Sequence, residues 1–231
     1  MKTMGLIGGM SWESTVQYYQ IINRTVNRRL GGFHSAKCVL YSVDFAEVEL
    51  LQHQGKWEDA TRLMIEAARS VERAGAEFLV ICTNTMHKMA DDVQKKIGIP
   101  LLHIADATAE TILSRGLRKV ALLGTRFTME EDFYRGRLSA RHGLDVIIPT
   151  ADQRELVHRI IYDELCAGII KPSSERVYLE VIEGLAGAGA QGIILGCTEI
   201  GLLVKQEHSR IPLFDTTVIH AEAAVAYALK P

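Results

Sequence analysis

Gly75-Ala76-Glu77-Phe78-Leu79-Val80-Ile81-Cys82-Thr83-Asn84-Thr85 returns, altered, as Gly189-Ala190-Gln191-Gly192-Ile193-Ile194-Leu195-Gly196-Cys197-Thr198-Glu199. Each copy opens on a glycine turn signal, runs through apolar residues of strand length and stops at small polar residues. That pattern is a buried strand delivering a polar loop at its carboxyl end. Laying Gly75 on Gly189 without a gap sets Cys82 against Gly196 and Thr83 against Cys197. Two equivalent strand ends therefore present a hydroxyl in one copy and a thiol in the other.

The echo extends further. Met4-Gly5-Leu6-Ile7-Gly8-Gly9 resembles Val120-Ala121-Leu122-Leu123-Gly124-Thr125, and Ile99-Pro100-Leu101-Leu102 resembles Ile211-Pro212-Leu213-Phe214. The separations are 116 residues for Gly8 and Gly124, 114 for Gly75 and Gly189, and 112 for Ile99 and Ile211. A period of about half the 231-residue chain is a duplicated domain, not a solenoid. Strands are expected at 4–7, 38–43, 78–81 and 100–104, then at 120–123, 146–148, 193–195 and 212–214. Helices lie between them. One is expected to start at Ser11 or Ser14 and bury Val16, Tyr19, Ile22 and Val26; a second, from Asp59, buries Ala60, Leu63, Met64, Ala67 and Val71. Val177, Tyr178, Val181, Ile182 and Leu185 form the counterpart of that second stripe. Continuous apolar strands joined by helices predict an α/β fold with parallel sheets covered on both faces. Ligands of such sheets bind beyond the carboxyl ends of the strands, where the polar clusters fall.

Composition bounds the function. Hydrophobic residues make up 48% and charged residues 23%, an ordinary soluble globule with ample core. A net charge of -2 gives no electrostatic footprint for nucleic acid or a membrane surface. No run approaches the length of a membrane span, and the N-terminal residues do not read as a signal peptide. Cys38, Cys82, Cys166 and Cys197 lack metal-ligand spacing, and the eight histidines form no H-x-x-x-H pattern, so no metal is expected. Free thiols point to a reducing cytoplasm. Neither a dinucleotide fingerprint nor a phosphate-binding P-loop is present.

Cys197, between an apolar run and Thr198-Glu199, is expected at a strand end beside a helix N-terminus that lowers its pKa. Cys82 sits one residue out of phase and, since strand side chains alternate, should point into the core. Cys38 and Cys166 read as structural. Thr83, Asn84 and Thr85 can cap a helix or hold a carboxylate through hydroxyl, amide and backbone donors. His87 reads as a supporting or structural group.

With those residues in hand, the chain resembles the aspartate/glutamate racemase family. The match includes Gly8-Gly9-Met10, Asn84-Thr85 with His87 in a C-N-T-x-H-like motif, Gly124-Thr125, and Gly196-Cys197-Thr198-Glu199. The resemblance implies two pseudo-symmetric lobes, each a parallel flavodoxin-like sheet flanked by helices, with the active site in the cleft between them. It places 1–98 plus 207–231 in the first lobe and 99–206 in the second, returning the 211–214 strand to the first. It implies a homodimer acting on aspartate or glutamate with no cofactor, pyridoxal phosphate included. Thr83 replaces the family's first catalytic cysteine. Carried over, Cys197 deprotonates the L-substrate and Thr83 serves the opposite face. Asn84, Thr85 and Thr198 suit the α-carboxylate, and Met10 and Thr125 line the other wall. Gln52 or His53 is the candidate for the distal carboxylate; Cys166 stands where some relatives place a basic residue. The alternatives are a one-cysteine decarboxylase or cis–trans isomerase of small dicarboxylates, and a binding protein that has lost the chemistry.

Overall fold

Among the described residues eight short strands form two parallel sheets that share one strand order and, between their central strands, one register. The structure of the protein, a computed structural model, describes residues 1–230. β1 (Met4–Gly8), β2 (Cys38–Ser42), β3 (Phe78–Ile81) and β4 (Leu101–Leu102) pair in the order β2-β1-β3-β4. β5 (Lys119–Gly124), β6 (Asp145–Ile147), β7 (Ile193–Gly196) and β8 (Leu213–Asp215) pair in the equivalent order β6-β5-β7-β8. Ile7 stands opposite Ile81 in one sheet and Leu123 opposite Leu195 in the other, as the sequence echo requires. Gly75 (φ 94°) and Gly189 (φ 92°) make the same left-handed turn into β3 and β7, a conformation glycine alone adopts cheaply.

The strands β1, β3 and β7 are buried along their whole length and apolar, because helices cover both faces, whereas β2 leaves Leu40, Tyr41 and Ser42 exposed. Along β3 the side chains alternate. Leu79 and Ile81 pack with Met64, Val71 and Met86, while Phe78, Val80 and Cys82 pack with Tyr18, Ile22 and Val225. The helix Trp57–Arg73 buries Ala60, Met64, Ala67, Ala68 and Val71, close to the expected stripe. The helix Trp12–Leu30 is rotated from its expected phase. It buries Ser14, Thr15, Tyr18, Ile22, Thr25 and Val26, and leaves Val16 and Tyr19 on the surface beside Trp12. Thr15 sits so close to β1 that a Cβ on Gly8 would collide with its side chain.

The described chain divides into two units, Met1–His103 with the chain from His220 onward, and Ile104–Ile219. Two expectations are corrected. Residues 99–103 belong to the first unit, because β4 pairs with β3 and Leu79 N–H donates to the Pro100 carbonyl at 2.8 Å. The 211–214 strand stays in the second unit, because β8 pairs with β7 and Ile193 N–H donates to the Pro212 carbonyl at 2.9 Å. What is exchanged is the helix that follows each strand. The helix Ile104–Ser114 follows β4, yet Ile104, Ala105, Ala109 and Ile112 join the second unit's core. The helix Thr216–Ala228 follows β8, yet Ala221, Ala224, Val225 and Ala228 join the first unit's core. Only the part of the tail from His220 therefore returns to the first unit, and the boundaries at 98/99 and 206/207 move accordingly.

Candidate active site

Each unit places a small polar cluster just past the carboxyl ends of its central strands. In the first unit β1 hands over to Gly9, whose φ of 91° and contact with the Val43 backbone exclude any side chain. Gly9 N–H donates to Thr15 Oγ1 at 2.8 Å, and that hydroxyl donates to the Ser11 carbonyl at 2.8 Å, pinning the loop that carries Met10. Met10 is buried against the cluster containing Ile7, Val48 and Met86. Gln52, near the end of the helix Phe45–His53, is also buried, and its Nε2 donates to Met86 Sδ at 3.1 Å. Met86 belongs to the same core cluster as Met10. His53 faces outward and pairs with Glu49 at 2.8 Å, so of the two candidates for a distal carboxylate only Gln52 lies inside.

Cys82 N–H extends the ladder to the Ile7 carbonyl at 2.8 Å, and its thiol is sealed in the core, where burial pushes its pKa far up. Thr83, Asn84 and Thr85 follow, all buried, with Thr83 retaining 8% exposure. The chain then turns through a single 3-10 segment, Thr85–Met89. His87 Nδ1 lies 2.7 Å from the Thr83 carbonyl oxygen. Its ring centroid lies 4.5 Å from that of His103, the planes tilted by 58°, and 5.8 Å from that of His220. His220 is fully buried; its Nδ1 meets Tyr18 Oη at 2.9 Å and its Nε2 meets the Leu102 carbonyl at 2.9 Å. Burial lowers its pKa from 6.5 to about 4. His103 and His220 meet His87 through the fold alone, since neither stands near it in sequence.

In the second unit Gly124 and Gly196 face each other across β5 and β7. A Cβ on Gly196 would meet the Leu123 carbonyl oxygen at 2.8 Å, so only glycine fits before the cysteine. Thr125 caps the short helix Arg126–Glu130, accepting from Thr128 N–H at 3.3 Å. Cys197 keeps 8% exposure and its Sγ donates to Glu199 Oε2 at 2.9 Å. Thr198 Oγ1 donates to the same oxygen at 3.0 Å. The loop is held from behind by Thr217 Oγ1, which donates to the Thr198 carbonyl at 3.2 Å, and by Thr216 Oγ1, which donates to the Leu195 carbonyl at 2.8 Å.

The expected lowering of the Cys197 pKa is corrected. Burial raises it first, and the charge of Glu199, then Cys166, raises it further. The helix beyond it, Ile200–Leu203, is a single turn, too short to supply a macrodipole against those effects. Cys166 sits in the turn Leu165–Ala167, half-buried, where burial and Glu199 also hold its proton on. The motif Gly196-Cys197-Thr198-Glu199 sets Glu199 two residues beyond Cys197, the sequence signal that it shares that thiol's environment. Among the described residues no group of His, Cys, Asp and Glu side chains could hold a metal ion, and no helix is long and apolar enough to cross a membrane.

The family model for Asp/Glu/hydantoin racemases matches residues 7–224. The chain belongs to that family, whose racemases are isomerases. It is 58% identical, over 100% of both chains with a TM-score of 0.92, to a candidate Asp/Glu racemase from Yersinia pestis. It is 37% identical, again over 100% of both chains with a TM-score of 0.85, to an aspartate racemase homologue from Pyrococcus horikoshii OT3. The broad-specificity amino-acid racemase RacX of Bacillus subtilis strain 168 is 24% identical over 173 residues, 73% of this chain and 72% of that one. These likenesses support an amino-acid racemase.

Proposed function

We propose that the protein interconverts the enantiomers of aspartate or glutamate without a cofactor, with Cys197 removing the α-proton of the L-substrate and Thr83 serving the opposite face. One observation carries the reading. Thr83 and Cys197 follow the ends of β3 and β7, two strands with the same neighbours and the same register in a duplicated unit. Inversion at a carbon needs proton removal on one face and delivery on the other. A thiol can act as base once deprotonated, whereas a threonine hydroxyl can give up a proton but is a poor base. Asn84, Thr85 and Thr198 are our candidates for the α-carboxylate, Met10 and Thr125 for the opposite wall, and Gln52 for the distal carboxylate.

The enantiomers have equal free energy in water, so kcat/KM is equal in both directions whatever the asymmetry of the groups. A weak second group slows both directions alike. The carbanion formed from the L-substrate should then recapture a proton at Cys197 more often than it receives one from Thr83. Each enantiomer is incubated in deuterium oxide, and α-deuteration and chirality are followed in parallel. L-Aspartate or L-glutamate is expected to exchange faster than it inverts, and the D-substrate to exchange little without inverting. Matched rates from both enantiomers would sink the asymmetric assignment, and no exchange from any substrate would leave a binding protein.

We also place the chain in a homodimer and in the cytoplasm. Trp12, Val16 and Tyr19 form an exposed apolar stripe at helical spacing, 62%, 41% and 52% accessible, of the kind that partners cover. All four cysteines are free, which suits a reducing compartment. Sedimentation of the purified protein tests the dimer, with a monomer at micromolar concentration counting against it.

A further inference from the structure

The helix Trp57–Arg73 and the residues leading into β4 border a groove of about 550 Å³, lined by Arg62, Ile65, Glu66, Arg69, Arg73 and Lys96. Arg73 ends the helix that turns into β3, and Lys96 precedes β4, so both lie toward the amino ends of those strands. The first unit's candidate site residues lie past the carboxyl ends. The groove is a separate place on the same unit.

The carboxylates nearest these cations are taken. Asp59 pairs with Arg62, Asp92 with Lys95 at 2.9 Å, and Glu72 Oε1 accepts from Gly98 and Ile99 N–H at 2.7 and 3.2 Å. Among the described residues no carboxylate forms an ion pair with Arg69, Arg73 or Lys96. The bonds these residues do make hold them in place. Arg69 Nε donates to the Lys96 carbonyl at 3.3 Å, and Arg73 donates to Ser70 Oγ at 3.1 Å. A guanidinium has five N–H donors, so each arginine keeps several for a ligand. Arg73 stands in the last turn, where the helix macrodipole favours a cation. Arg69, one turn further in, is a like charge at i,i+4 spacing, which costs a helix stability.

The repeat supplies a control. The second unit builds the same groove, about 350 Å³, between the helix Pro172–Gly187 and residues 208–211. Leu179, Ile182, Ala186 and Ile211 line it, Glu183 stands where Arg69 does, and Gly187 where Arg73 does. The fold therefore forms the groove without the cations, and their gathering in the first unit is not required by the architecture.

We propose that the first unit's groove binds a short condensed phosphate chain, held by Arg69, Arg73 and Lys96. Guanidinium groups meet phosphate oxygens with paired N–H donors, and the lysine adds a point charge. Arg69 and Arg73 lie about 6 Å apart along the helix axis, so each can hold one end of the chain. With four cations against one acid, the lining suits a multiply charged anion over a monoanion. None of the lining residues is aromatic, so no stacking surface reads a nucleobase and the phosphates alone are recognised.

The test titrates the whole chain with sodium tripolyphosphate by calorimetry at low ionic strength, without divalent cations, and follows the melting temperature in parallel. One site per chain is expected. Arg69→Glu and Lys96→Gln should each weaken binding about tenfold, the scale of a lost hydrogen bond to a charged group. Arg69→Glu copies the residue the second unit carries at that place, and Lys96 is exposed, so both variants should fold. Arg141→Gln, on the exposed side of the second unit's helix Asp132–His142, removes the same single charge as Lys96→Gln. It should bind within about twofold of the parent, as surface changes away from a site do.

Neither binding heat nor a rise in melting temperature at about millimolar tripolyphosphate overturns the proposal. So does an affinity that Arg69→Glu and Lys96→Gln leave at the parent value; should Arg69→Glu not fold, Lys96→Gln decides alone. Citrate tests charge without phosphate, and binding as tight as that of tripolyphosphate overturns the choice of phosphate. Adenosine triphosphate carries the same chain with a nucleoside attached and should bind no more tightly. Tighter binding would make this a nucleotide site and overturn recognition by phosphates alone.

Discussion

The imidazole of His87 holds the carbonyl of Thr83 at 2.7 Å from Nδ1, four residues back in the chain and inside the buried turn that follows β3. This bond ties the turn back onto the strand end, beside the tilted ring of His103. His87→Ala leaves a buried carbonyl without its donor, at a cost of about 1–3 kcal/mol in stability. We expect inversion to slow about tenfold while α-deuteration of the L-substrate continues, because the disturbance is confined to the Thr83 side. His87→Gln, which restores a donor, should recover part of the loss. Exchange and inversion falling together would show that His87 does not act through Thr83.

The two buried cysteines that end apolar runs make opposite predictions. Cys82 shares its core face with Phe78, Val80 and Tyr18, and its thiol has no route to a substrate. Cys82→Ala should cost about 1–2 kcal/mol in denaturant unfolding and leave turnover near the parent. Cys197→Ser should fold normally and lose roughly a thousandfold or more of both exchange and inversion. A silent Cys82→Ala with a dead Cys197→Ser fixes the phase of the repeat. Loss of activity in a stable Cys82→Ala shifts it by one residue and removes the role given to Thr83.

The repeat made most of the fold legible, since an echo at 112 to 116 residues dictates equal strand order and register, and Ile7 with Ile81 and Leu123 with Leu195 obey it. It could not say where the helices after Leu102 and Asp215 would pack, because the echo fixes the strands and not the path of the chain beyond them. The helix from Trp12 was misphased because Thr15 and Thr25, both buried, carry no apolar signal, whereas the exposed Val16 and Tyr19 do. Spacing along the strands put Thr83 and Cys197 just beyond equivalent strand ends, where the structure has them. The electrostatics of Cys197 depended on the length of the next helix and on the direction of the Glu199 side chain, neither of which a motif encodes. The association of His87, His103 and His220 is purely tertiary.

Thr83→Cys tests the hydroxyl directly. Thr83 is 8% exposed in a loop of small residues, and a cysteine is no larger, so the fold should tolerate it. A thiol on that side supplies a usable base and a stronger acid. Racemisation should therefore accelerate from both enantiomers by the same factor, as equal free energies require. α-Deuteration of the L-substrate should fall toward the rate of inversion, because fewer carbanions return to Cys197. An unchanged ratio of exchange to inversion in a folded Thr83→Cys would mean that residue 83 does not deliver the second proton.

Acid stability should carry the signature of His220. Its two hydrogen bonds fit the neutral ring, with Nε2–H donating to the Leu102 carbonyl and Nδ1 accepting from the Tyr18 hydroxyl. A second proton on Nδ1 would face that hydroxyl inside an apolar core, so burial holds the folded pKa at about 4 against 6.5 for the free side chain. The sign follows from proton counts. Between those values the unfolded chain binds a proton that the folded chain refuses, so unfolding free energy falls as pH falls from 6.5 toward 4. It levels off below, with a total of about 3 kcal/mol from this group. His220→Gln keeps a donor and an acceptor but does not titrate. Its denaturant-unfolding curve, measured from pH 7 down to pH 4, should lose one proton's worth of slope relative to the parent. An identical slope in the two proteins would place the acid sensitivity elsewhere, and His220 would be a packing residue only.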